Sequence, residues 1–80
     1  MSNQYTDNPI TERQAAVLRF IVAFLMRNAF PPTLREIGRH MGIESTNGVV
    51  DQLRALERKG YIERVTGVAR GIRVLRDAWE

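Results

Sequence analysis

At 80 residues, with 44% hydrophobic and 26% charged residues and a formal charge of +3, the chain has the composition of one small globular domain, not of a disordered segment. Zero cysteines exclude disulfides, thiolate chemistry and cysteine-ligated zinc, and fit a reducing compartment. A single histidine leaves too few soft ligands for a transition-metal site, and no apolar run reaches the roughly 18 residues of a membrane span.

Residues 1–10 read as a flexible, polar N-terminal arm without the basic and apolar regions of a signal peptide. Thr11-Glu12-Arg13-Gln14 then forms a capping box, in which hydroxyl and amide side chains satisfy backbone N–H groups at a helix start. Ile10 can staple onto Ala15. From Ala15 to Met26 every residue but Arg19 is apolar. Val17, Leu18, Ile21, Phe24 and Leu25 recur at helical spacing, which predicts a helix over about 12–29. Phe30-Pro31-Pro32 ends it, because a residue before proline avoids the helical region.

A second capping box, Thr33-Leu34-Arg35-Glu36, opens a short helix with Leu34, Ile37 and Met41 inward and Gly42 as its terminating residue. Ser45 caps a third helix over about 46–59, stopped at Gly60. The few residues between these helices include glycine, the signature of a helix-turn-helix. Beyond Gly60, Tyr61-Ile62-Glu63-Arg64-Val65 and Ile72-Arg73-Val74-Leu75 predict two short strands. The joining loop holds Gly67 and Gly71, both able to take positive φ. The fold class is therefore mainly α with a small β-hairpin, a winged helix-turn-helix over 11–75 followed by a short tail over 76–80.

Charge is concentrated late in the chain. Residues 1–53 sum to zero, 54–76 carry +5, and the last four return −2. Eleven of the twelve basic residues are arginine, which suits bidentate phosphate or guanine contacts but is also what codon bias would give. On the third helix, Val49, Leu53 and Leu56 share one side and form the core stripe. The opposite side carries Asn47, Asp51, Arg54 and Arg58, with Val50 at its edge. Asparagine pairs with adenine, arginine with guanine, aspartate accepts from cytosine, and valine meets a thymine methyl. Ser45 and Thr46 at the helix start suit phosphate. Arg70 at the wing tip is the leading phosphate or minor-groove candidate, supported by Arg73.

Thr11-Glu12-Arg13-Gln14, Pro31-Pro32-Thr33-Leu34-Arg35-Glu36-Ile37, Leu53-Arg54-Ala55-Leu56-Glu57-Arg58-Lys59-Gly60 and Gly67-Val68-Ala69-Arg70-Gly71-Ile72-Arg73 resemble the N-terminal DNA-binding domain of LexA repressors, over about residues 10–75. The resemblance implies repression of DNA-damage (SOS) genes by a dimer on a palindromic operator, in the bacterial cytoplasm at the nucleoid, encoded by a host or a phage. It places base reading on Ser45, Asn47, Gly48, Val50 and Asp51, and the wing on Gly67 to Gly71. Ser45-Thr46-Asn47-Gly48 departs from the family's usual Ser-Pro-Asn-Ala, and Val50-Asp51 stands where an acidic pair is common, so a changed base preference is expected. The family's second domain brings an Ala-Gly cleavage site and a serine–lysine dyad. Here the serines are Ser2 and Ser45, the lysine is Lys59, and no Ala-Gly pair occurs. The chain is thus expected to be incapable of self-cleavage, as an excised domain or a stand-alone protein.

No catalytic residues, metal ligands, cofactor or small-molecule substrate are expected. His40 suits a helix-end or surface role, and Gly67 to Gly71 lacks the features of a phosphate-binding P-loop. Helix 1 is more apolar than one buried side requires. Phe20, Val22, Ala23, Phe24 and Met26 are candidates for a homodimer or partner face, unless they simply widen the core. Competing readings are therefore a protein-interaction adaptor using that face and a non-specific architectural DNA binder.

Overall fold

The computed structural model describes residues 10–75. All but Ile10 of the expected arm, and the whole expected tail, lie outside them. Three helices, α1 (Glu12–Asn28), α2 (Leu34–Met41) and α3 (Thr46–Arg58), precede strands β1 (Ile62–Arg64) and β2 (Ile72–Val74). The strands pair antiparallel, with Ile62 opposite Val74 and Arg64 opposite Ile72.

Local chemistry sets the helix starts. The Gln14 backbone N–H donates to Thr11 Oγ1 at 3.0 Å and the Thr11 N–H to Gln14 Oε1 at 3.0 Å. Thr33 and Glu36 repeat this reciprocal pair at α2, at 2.9 and 3.1 Å. Ser45 Oγ accepts from the Gly48 N–H at 3.1 Å and opens α3. Each such cap contributes about 1 kcal/mol. Gly42, at φ 72°, closes α2 in the left-handed region where glycine carries no Cβ penalty.

The end of α1 differs from expectation. The helix stops at Asn28, and Ala29 takes the left-handed cap at φ 68°, donating its N–H to the Leu25 carbonyl at 2.8 Å. Pro31 follows two residues after this cap, where proline cannot continue a helix. Pro32 is fully buried beyond the turn.

One core joins all five elements. Val17, Leu18 and Ile21 from α1, Ile37 from α2, Val49, Leu53 and Leu56 from α3, and Ile62 and Ile72 from the strands make a single cluster. Phe24 and Leu25, expected among the inward residues of α1, are only half-buried. Leu34 and Met41 pack at the margin of the core. Among the described residues no helix is long and apolar enough to cross a membrane.

Candidate nucleic-acid interface

The turn between α2 and α3 holds α3 across α2 with its apolar stripe inward. Gly38 makes this crossing close, since a Cβ there would lie 2.8 Å from the Ile43 carbonyl oxygen. With Val49, Leu53 and Leu56 buried, helical geometry leaves Asn47, Asp51, Arg54 and Arg58 exposed on the other side. Val50 and Gly48 are half-buried beside them. Gly48 fills a tight place, because a Cβ would stand 2.7 Å from Ile43 Cγ2.

At the start of α3, Ser45 and Thr46 are exposed. The Ser45 oxygen is occupied as a cap, which leaves its O–H able to donate. The Thr46 and Asn47 N–H groups have no partner among the described residues, so the positive end of the helix dipole faces outward. Arg35 and Arg39 of α2 border the same groove of about 520 Å³, together with Glu44, Ser45 and Thr46. Sequence reasoning passed over both arginines because residues 1–53 sum to zero charge. Their spacing of four along α2, next to the turn, was the signal available.

The wing arginines are placed differently from expectation. Arg73 is largely exposed and pairs with Glu63 across the hairpin at 3.2 Å. Arg70 does not project from the wing tip. It folds back, with Nη1 and Nη2 donating to the two carboxylate oxygens of Glu36 at 2.8 and 3.1 Å and Nη1 donating to the Pro31 carbonyl at 2.8 Å. Its guanidinium carbon lies 4.6 Å from the centre of the Phe30 ring and 5.8 Å from that of Phe24. Two cations of the basic C-terminal third therefore have acidic partners, Arg70 in a bidentate pair and Arg73 in an exposed one. Arg54 and Arg58 have no acidic partner among the described residues.

Gly67 takes φ 81° as expected, but Gly71 does not have positive φ. Glycine is needed at Gly71 for room, since a Cβ would fall 2.2 Å from the Val65 carbonyl oxygen. In the same loop Val65 and Val68 are half-exposed.

Of the apolar candidates on α1, Phe20, Ala23 and Phe24 line one open groove of about 420 Å³ with Arg19, Arg27 and His40. Phe20 and Val22 pack against the core. Phe20 also stacks on the exposed His40 ring at 4.1 Å, Phe24 lies 5.8 Å from Phe20, and Phe30 lies 6.0 Å from Phe24. Only Ala23 and Met26 of the five candidates are exposed, Met26 by 72%. The aromatic residues thus form a row running from His40 toward Arg70.

Glu36 is the electrostatic centre of this row. Hydrogen bonding from Arg70, followed by the Thr33 N–H, lowers its pKa from the ordinary 4.5 to about 2. Because the folded value is depressed, the stability contributed is complete above about pH 4.5 and is lost as the pH falls through about 2. Carboxyl-carbon NMR of the Glu36 side chain should show a midpoint near 2 that rises toward 4.5 in Arg70→Gln.

Among the described residues, no cluster of three or more His, Cys, Asp or Glu is arranged to hold a metal ion. The LexA DNA binding domain family matches residues 7–71. Relatives include the LexA repressors of Sorangium cellulosum, 58% identical over 64 residues, Myxococcus xanthus, 62% over 55, and Geotalea uraniireducens, 57% over 63. These matches cover 80%, 69% and 79% of this chain and 28%, 25% and 31% of the respective repressors, so the chain spans under a third of the relatives it matches. With the three helices, the first strand of the hairpin and the outward side of α3 all inside the matched span, the chain belongs to the LexA DNA-binding domain family.

Proposed function

We propose that the chain is a sequence-specific double-stranded DNA-binding repressor that lays α3 in the major groove. The observation that carries this reading is the outward side of α3, where Asn47, Asp51, Arg54 and Arg58 stand exposed beside an open helix start. Asn47 can pair bidentately with adenine, Asp51 can accept from a cytosine amino group, and Arg54 can reach guanine. Ser45, Thr46, Arg35, Arg39 and Arg58 border this side and supply phosphate contacts, which position the helix without reading sequence. Gly48 brings the backbone close to the bases, and Val50 offers an apolar contact where a thymine methyl fits.

One module of this size reads few base pairs, so two copies are expected on a palindromic operator with half-sites related by the spacing of about one helical turn, 34–36 Å. Such a target places the chain at the bacterial nucleoid, and its work there is binding and not catalysis.

Selection of duplexes from a random pool by the full chain, followed by fluorescence anisotropy against a shuffled control, tests the reading. A preference of at least about a hundredfold is expected, with two chains per selected duplex, within the range of sequence-specific regulators. Asn47→Ala should reduce discrimination by about 1–3 kcal/mol at one base position and leave the others intact. Equal loss on selected and shuffled duplexes would remove Asn47 from base reading, and failure to enrich any sequence would leave an architectural role.

A further inference from the structure

We propose that Arg70 is a positioning residue, a latch that holds the wing at a fixed angle to the helix-turn-helix without itself touching DNA. The inference rests on the DNA-binding reading for its consequence and on the free chain for its geometry. The wing needs such a latch. Its strands are three residues each, and a two-stranded ribbon of that size has little stability of its own. A groove of about 310 Å³ runs along the loop at residues 65–69, with Leu34 of α2 among its lining residues. Among the described residues, Arg70 makes the only side-chain hydrogen bonds between the loop at 65–71 and the rest of the chain.

The anchor at the other end is rigid. Glu36 is also the third residue of α2 and accepts from the Thr33 N–H in the capping box. A carboxylate has about four lone-pair positions, so it can serve the cap and the arginine together. Through α2 and the close crossing at Gly38, the wing is referred to the same frame that holds α3. The guanidinium is also poorly suited to a phosphate in this arrangement. Its fork is engaged by Glu36 and Pro31, and its plane lies near the Phe30 ring. At the loop the wing presents Val65 and Val68 half-exposed, while its exposed cation Arg73 lies on β2.

A latch and a phosphate contact give opposite results for one substitution. Glu36→Gln keeps the capping box, because glutamine serves at that position, and removes the charge that holds Arg70. If Arg70 contacts phosphate, the variant frees a cation and binds DNA more tightly. If Arg70 is a latch, the variant loosens the wing and binds more weakly. Arg70→Lys divides the two again, since lysine replaces a point charge at a phosphate but cannot reproduce a bidentate fork.

The test uses the full chain and the duplex selected by the wild type, with affinity measured against salt and hydroxyl-radical footprints recorded. Glu36→Gln and Arg70→Lys should each weaken binding roughly tenfold, as expected when a preorganised contact must be ordered on binding. The salt slope should stay unchanged in both and in Arg70→Gln, and protection should be lost only at the flanks reached by the wing. Tighter binding by Glu36→Gln, wild-type behaviour of Arg70→Lys, or a slope reduced by about 0.9 in Arg70→Gln would overturn the proposal. Hydrogen exchange in the free chain supplies a readout independent of DNA. The Val65 N–H, bonded to the Gly71 carbonyl at 2.7 Å, should lose at least about tenfold of its protection in Arg70→Gln while core amides keep theirs. Unchanged Val65 protection would reject the latch. Failure of the wild type to bind any duplex would reject the DNA-binding reading and leave the latch to be decided by exchange.

Discussion

Leu53→Ala is expected to remove about 2–5 kcal/mol of folding stability, the range for truncating a fully buried leucine. Leu53 has no exposed surface and lies midway along α3, in the cluster that joins all three helices and both strands. A domain of 80 residues has about 4–12 kcal/mol in total, so this one change consumes a substantial part of it. Urea unfolding should show a lower midpoint at an unchanged slope, because the surface exposed on unfolding barely alters. The effect on DNA should be equally characteristic. Leu53 faces away from the exposed side, so the folded fraction keeps its base preference and salt slope while apparent affinity falls with the population that remains folded. Asn47→Ala should do the reverse, changing preference at one base position and leaving the urea midpoint alone. An unchanged midpoint in Leu53→Ala would mean that the core is not the single cooperative unit described.

What was legible beforehand was local or periodic. Thr11 with Gln14, and Thr33 with Glu36, are three residues apart and satisfy one another within a single turn. Ser45, Gly42 and Gly67 likewise answer to backbone requirements that a short window displays. The stripe of Val49, Leu53 and Leu56 follows from the helical repeat, and the exposed side of α3 is its complement.

Contacts made at a distance were not legible. Arg70 and Glu36 are 34 residues apart, and Glu36 already had an evident use in its capping box, so nothing local marked its spare lone pairs. Arg70 beside glycine in a basic segment therefore looked available to phosphate. Gly38 and Gly71 are required by neighbours that the fold brings close, a condition that composition does not reveal. The apolar surplus on α1 likewise gave no sign that His40 and Phe30, from other parts of the chain, would meet Phe20 and Phe24.

Gly71→Ala should be the most damaging substitution in the wing. The new Cβ would stand 2.2 Å from the Val65 carbonyl oxygen and 3.0 Å from that of Val68. Both obstacles are backbone, so the clash is relieved only by moving the strands apart. That movement breaks the Val65 N–H bond to the Gly71 carbonyl and pulls on Ile72, which belongs to the core. A cost of about 3 kcal/mol, the upper end for forcing atoms into a filled site, is expected. Gly67 offers a control four residues earlier in the same loop. It has positive φ with nothing within 4 Å of a built Cβ, and asparagine tolerates that conformation. Gly67→Asn should therefore shift the urea midpoint little, whereas Gly71→Asn should fail as badly as Gly71→Ala. Val65 amide protection should collapse in both Gly71 variants and survive in Gly67→Asn. If the two positions respond alike, the loop is governed by backbone flexibility and not by the close approach of Gly71. If they separate as expected, Gly71 and Arg70 act as neighbours on one task, the glycine letting the strands close and the arginine tying the closed hairpin to α2.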